Sequence, residues 1–241
     1  MSVVVGVLGV PRSPGASTLA LAMGCAEPSA TVIETDPSGG RIALSYGIHV
    51  APGLPEFAVL AGAGQRAVAS DPVRVLACGA RAVPAPLDGQ VVAGVARRLS
   101  YPGVDLAAAS GGSVVLDLGR AAAGAEAWSG LVTRCDAVVL VARCDVVSLG
   151  LATRLVPELR ASGRPVGLAL VRDGMCEPAS SATQLGLPLF GVVAYRPRHA
   201  TRLWCASGAQ TRRNNAIVND AAGVLAAATA DRSWATESAA A

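Results

Sequence analysis

Residues 3–22 read VVVGVLGVPRSPGASTLALA, and this stretch decides the fold. Val3–Leu8 is apolar at consecutive positions, the pattern of a strand buried on both faces. A Gly/Pro/Ser loop, Pro11–Gly15, follows, and Ser17–Cys25 then reads as an apolar helix. This is the mechanical plan of a phosphate loop. Backbone N–H groups and the positive helix end cradle an anion, and a first-turn hydroxyl reaches Mg²⁺. The pattern GxxxxGK[ST] is not met: Gly15 and Ser17 stand in place, but Ala16 takes the lysine position and Val10 that of the first glycine. On this segment alone, a Gly-rich turn at a capped helix start reads as well.

Two later stretches bear on the choice. Thr31–Gly40, TVIETDPSGG, is a strand that ends in Glu34 and Asp36 before a Pro-Ser-Gly-Gly turn. One residue separates the two acids, so both side chains leave the strand end on the same side. Val114–Gly119, VVLDLG, sets Asp117 at the end of a buried strand, where a carboxylate is costly unless paired, bound to metal or wet. An acid there is of the type that holds a Mg²⁺-bound water beside a phosphate loop.

The rest of the chain repeats the alternation. Further strands are predicted over Val73–Cys78, Ala137–Ala142, Val166–Val171 and Pro188–Val193. Helices are predicted over Leu54–Ala61, Leu87–Leu99, Ser148–Arg160, around Ala182–Leu185, and over Arg198–Ala206 and Ile217–Ala228. Apolar strands with short crossovers predict an α/β fold, a doubly wound, mostly parallel sheet with helices on both faces. Residues 1–230 are expected to form one domain, and 231–241 a flexible tail.

Composition narrows the chemistry. The 241 residues are 52% hydrophobic but only 3% aromatic, so the core is built from Ala, Val, Leu and Ile, and disorder is excluded. All 20 basic residues are Arg, so no lysine chemistry is open to this chain, the phosphate-loop lysine included. A net charge of +3 is too small to argue for nucleic acid. No apolar stretch approaches the ~20 residues that span a bilayer. Six scattered cysteines without a CxxC suit buried thiols in a reducing cytoplasm. His199, between Arg198 and Arg202, reads as a surface residue, and the C-terminal arginines as a solvated face.

The three segments, in order and spacing, resemble the MinD/ParA superfamily of deviant P-loop ATPases, with a degenerate Walker A motif. Pro14-Gly15-Ala16-Ser17-Thr18 and Glu34-Thr35-Asp36-Pro37-Ser38-Gly39-Gly40 are similar to the loop and turn of actinobacterial MinD-like and TadZ/CpaE-like positioning factors. The resemblance implies a SIMIBI-like P-loop NTPase fold. It implies ATP and Mg²⁺ as cofactors, held by Arg12, Ser13, Gly15, Ala16, Ser17 and Thr18. It gives Asp36 the catalytic position, Ser17 the metal, and Asp117 the metal through water. It also implies a homodimer, and by analogy a Flp/Tad-type pilus or secretion ATPase as partner.

The departures shape the expected function. The family's two lysines fall on Ala16 and Pro11, which leaves Arg12 and Arg120 as the nearest positive charges. Its adenine-contacting Asn is replaced within Arg172-Asp173-Gly174, and the Asp of its late loop by Arg196. The expectation is a weak or inactive ATPase, cytoplasmic or peripheral to an inner-membrane assembly through partners, that positions or assembles an envelope machine. A working ATPase that uses Arg12 and a nucleoid-binding partition protein are the alternatives. The last helix is Ala-rich rather than basic and amphipathic, which disfavours direct membrane binding.

Overall fold

The computed structural model describes residues 2–11, 15–67, 72–121, 126–172, 176–205 and 215–230. They form an eight-stranded sheet in the order β3-β4-β2-β5-β1-β6-β7-β8. The strands are β1 (Val4–Gly9), β2 (Thr31–Glu34), β3 (Arg74–Val75), β4 (Arg81–Val83), β5 (Val114–Arg120), β6 (Ala137–Arg143), β7 (Val166–Arg172) and β8 (Leu189–Ala194). Every pairing is parallel except that of β3 with β4. The sheet grows from β1 towards β5 and β2 on one side and β6, β7 and β8 on the other. The carboxyl end of β1 is therefore a topological switch point, where such sheets bind ligands.

Neighbouring residues of each strand feed opposite cores. Leu8, Ile33, Leu116 and Leu140 pack on one face under α3 (Leu54–Gly62), α4 (Gly89–Leu99), α5 (Leu106–Ser110), α6 (Glu126–Val132), α7 (Val146–Ala161) and α8 (Pro178–Leu185). Val7, Val32, Val115 and Val139 pack on the other under α1 (Ala16–Ala26), α2 (Ile42–Tyr46), α9 (Pro197–Trp204) and α10 (Ala216–Thr229). The unbroken apolar runs follow from this two-sided burial.

Several expectations need correction. Val73–Cys78 does not enter the sheet as a full strand. Two of its residues form the antiparallel β3, because the chain turns at Gly79 (φ +90°), and the next residues, Arg81–Val83, pair in parallel with β2. The cysteines are not all buried thiols. Cys144 after β6 and Cys176 before α8 form a disulfide, with Cα atoms 5.5 Å apart, because β6 and β7 are neighbours, and Cys205 is exposed. His199 is not a free surface residue: its Nδ1 accepts from the Ala216 amide at the start of α10. The tail, 231–241, lies outside the described residues. No described helix is long and apolar enough to cross a membrane.

Candidate phosphate-binding site

The loop leaves β1 pinned between its neighbours. Val10 N–H donates to the Val141 carbonyl (2.9 Å), and Ala121 N–H to that of Gly9 (2.8 Å). The loop re-enters regular structure at Gly15, whose φ of +132° only glycine adopts readily. From there the first turn of α1 closes through Leu19 N–H to the Gly15 carbonyl at 2.7 Å. No side chain caps this helix and no acid stands in its first turn. By contrast α4, α7, α8 and α10 are capped by Asp88, Asp145, Glu177 and Asn215. Among the described residues no side chain takes the first-turn amides of α1, which suits a helix start that receives an anion.

The positive charge of a lysine is missing from this cradle. Ala16 is 2% exposed, its methyl turned into the core. Arg12 and Ser13, expected on the ligand, lie outside the described residues. Arg120 ends β5 opposite Gly9, exposed, with its Cγ close enough that a Cβ on Gly9 would touch it at 3.4 Å.

Three carboxylates meet beside the loop, each in a different setting. Asp117 pairs in register with Val7 of β1 and Glu34 of β2. It is 2% exposed. Burial first, then the negative charges of Glu34 and Asp36, push its pKa up to about 7, while the Ser17 hydroxyl and the Gly119 amide hydrogen-bond the carboxylate and hold it down. Ser17 and Asp117 are thereby adjacent, which suits a Mg²⁺ ion held by the hydroxyl with the acid behind it. Asp36 is half-buried, and its Oδ1 accepts from Ser38 N–H at 2.8 Å.

Glu34 departs from the sequence reading. It is not an open acid at the strand end. Its side chain turns inward, where Oε1 accepts from the Arg41 and Ile42 amides (2.6 and 3.0 Å) and Oε2 from that of Ala85 (2.9 Å). Burial raises its pKa against the pull of these three amides. It is a clamp that ties the start of α2 and the segment after β4 to the end of β2. Among the described residues, no group of three or more His, Cys, Asp or Glu side chains forms a metal cage, so a metal here would rely on Ser17 and the ligand's own oxygens.

Thr18 faces away from the carboxylates. Its Oγ1 accepts from the Trp204 indole N–H at 3.0 Å, and the Arg41 guanidinium lies over the Trp204 ring, 4.3 Å from its centroid. The Tyr46 hydroxyl donates to the Leu203 carbonyl, so α2 and α9 both brace the start of α1. Next to Gly15 and Thr18 lies a cavity of about 110 Å³ between the ends of β7 and β8. Larger open hollows, of about 650 and 800 Å³, lie at the other end of the sheet, around Asp136 and Ser113.

The structure thus sets Ser17 against Asp117 with Asp36 near by, after Gly15, whereas the Ala16 methyl and the Thr18 hydroxyl turn elsewhere. Sequence reasoning missed the clamp role of Glu34, the seat that Gly119 gives Asp36, and the Trp204–Thr18 contact.

The architecture is that of the MinD/ParA P-loop NTPases. The cell division ATPase MinD of Pyrococcus furiosus superposes with a TM-score of 0.72 over 94% of this chain and 98% of its own, at 16% identity. A ParA family ATPase from Chlorobium tepidum gives 0.72 over 94% and 97%, at 14% identity. A plasmid partition protein of Borrelia burgdorferi bound to AMPPNP gives 0.66 over 94% and 98%, at 11% identity. In sequence, the chain is similar to the uncharacterized protein Rv3660c of Mycobacterium tuberculosis, 30% identical over 232 residues, which are 92% of this chain and 63% of that protein. The same match is found in a second strain of that organism. This chain thus spans under two thirds of the length of the curated relatives it matches. No protein-family model matches it.

Proposed function

We propose that the chain is a MinD/ParA-like phosphate-loop protein, a degenerate ATPase that binds a nucleoside triphosphate weakly and turns it over slowly or not at all. It acts through binding and homodimerisation, as a positioning or assembly factor for an envelope machine such as a Flp/Tad-type pilus or secretion system, peripheral to the membrane through its partners. The observation that carries this reading is Ala16. A buried methyl group stands where the fold's ATPases place a lysine, in a chain without lysine, one residue before the hydroxyl that reaches Asp117.

In this reading the first-turn amides of α1 hold the phosphates and Ser17 holds Mg²⁺, with Asp117 behind it through water. Asp36 faces the same space. Mg²⁺, when bound, neutralises part of the phosphate charge. Loss of one charge-assisted bond to phosphate, roughly 1.5–3 kcal/mol, weakens binding about tenfold to a hundredfold or more. The AMPPNP-bound relative supports nucleotide as the ligand class. Pro11 removes the lysine that in the family reaches across to the partner's nucleotide, so the dimer is held by apolar and arginine contacts and ignores nucleotide.

Sedimentation with and without ATP and Mg²⁺, beside a binding titration of wild type and Ser17→Ala, tests the reading. It requires the same dimer in both conditions and Mg²⁺-dependent binding that the substitution weakens. A monomer that dimerises only with ATP overturns it.

A further inference from the structure

We infer that Cys25 and Cys78 are a redox-reactive pair, which a peroxide oxidises to a disulfide tying the end of α1 to the turn between β3 and β4. Cys25 lies in the last turn of α1, and Cys78 in the turn where Gly79 N–H donates to the Leu76 carbonyl. Both are buried free thiols. The Cys25 Sγ donates to the Cys78 carbonyl at 3.5 Å, and the two thiols also hydrogen-bond each other. A second thiol held against the first is a resolving thiol in place. The other three cysteines differ: Cys144 and Cys176 are joined, and Cys135, buried after α6, donates to the Leu131 carbonyl of its own segment.

The surroundings make Cys78 the nucleophile. Its bond with Cys25 lowers its pKa most; burial opposes this, and the Tyr46 hydroxyl and the Ala80 backbone add to the lowering. The thiolate, the reactive form, is thereby favoured. Access runs through the edge of the sheet. Cys78 is flanked by Ala77, exposed, and Gly79, half-buried, in a hairpin whose β3 strand has only two residues. Such short edge elements open locally, and a peroxide is small.

The chemistry balances. The Cys78 sulfur attacks one peroxide oxygen: an S–O bond forms, the O–O bond breaks, and the other oxygen leaves as water with the thiol proton. The Cys25 sulfur then attacks the sulfenic sulfur: the S–S bond forms, the S–O bond breaks, and a second water leaves with the Cys25 proton. Two thiols lose two electrons, and one hydrogen peroxide becomes two waters. The bond fixes the far end of the helix that begins at the phosphate loop, and its formation does not depend on what that loop binds.

The test treats the whole chain with hydrogen peroxide, as wild type, Cys205→Ser, Cys25→Ser and Cys78→Ser, and maps unreduced peptides by mass spectrometry. Removing Cys205 takes away the exposed competing thiol. Wild type and C205S should both lose the Cys25 and Cys78 thiols together and yield the Cys25–Cys78 cross-link, reversed by dithiothreitol. C25S should stop at a sulfenic acid on Cys78, trapped by dimedone, and C78S should give no adduct on Cys25. The wild-type map decides even where a serine variant does not fold. Oxidation of Cys78 in wild type without the cross-link, a cross-link of either thiol to Cys205 instead, or both thiols intact once Cys205 is fully oxidised overturns the pairing.

Discussion

The Asp36 carboxylate rests directly on the Cα of Gly119, two residues past Asp117, so that a Cβ on this glycine would overlap the carboxyl group. Gly119 also has φ +68°, which L residues adopt only at a cost of about 1–2 kcal/mol. Both facts bind the loop after β2 to the end of β5. Gly119→Ala is expected to destabilise the fold by more than that strain alone, about 2 kcal/mol or more, because Asp36 must also move. Urea unfolding checks it, and a change under ~1 kcal/mol means that Asp36 is not seated there.

The stability that Asp117 contributes should fall as pH rises. The folded-state pKa of Asp117, about 7, lies above its ordinary value of 3.8, so the native state binds the proton more tightly than the unfolded chain. This contribution is full below about pH 4 and is lost as pH rises through about 7, on the order of 4 kcal/mol at most. Glu34, raised as well, acts in the same direction. Melting temperatures across this range, without Mg²⁺, should decline in wild type and decline less in Asp117→Asn. Equal slopes would show that Asp117 does not titrate there.

Replacing Glu34 separates clamp from chemistry. Glu34→Ala leaves the amides of Arg41, Ile42 and Ala85 without their acceptor, and bonds to a charged group are worth about 1.5–3 kcal/mol each. The expected loss is several kcal/mol, less for Glu34→Gln, which keeps one acceptor oxygen. Chemical denaturation of both variants decides: equal, small losses would remove Glu34 as the tie between α2 and the sheet.

Trp204→Phe keeps the apolar contact but loses the bond to Thr18 and weakens the stacking of Arg41. It should cost roughly 1–2 kcal/mol in unfolding free energy. Stability equal to wild type would show that α9 does not brace the phosphate loop through this residue.

The parallel core was legible because burial on both faces writes unbroken apolar runs, and Thr31–Glu34 was placed to the residue. The loop and its acids were legible because a glycine before Ser17 and acids after strands are local patterns. What escaped depends on partners distant in sequence. Glu34 looked like an outward acid because strand alternation says nothing of the amides of Arg41 and Ala85 that draw it inward. The disulfide of Cys144 and Cys176 spans 32 residues and exists only through the adjacency of β6 and β7. The edge pair β3 and β4 was misplaced because Val73–Cys78 is the more apolar stretch, whereas Gly79 turns the chain so that Arg81–Val83 meets β2.

The central claim is a phosphate loop whose lysine position holds Ala16, in a chain without lysine. Steady-state phosphate release from Mg²⁺-bound ATP and GTP at saturating concentration tests it most directly. The account predicts turnover far below the ordinary enzyme range of ~1–10³ per second, with no loss on Asp36→Asn beyond the background. Turnover within that range, abolished by the same substitution, would contradict it and make Arg12, then Arg120 beside Gly9, the first residues to examine as the missing charge.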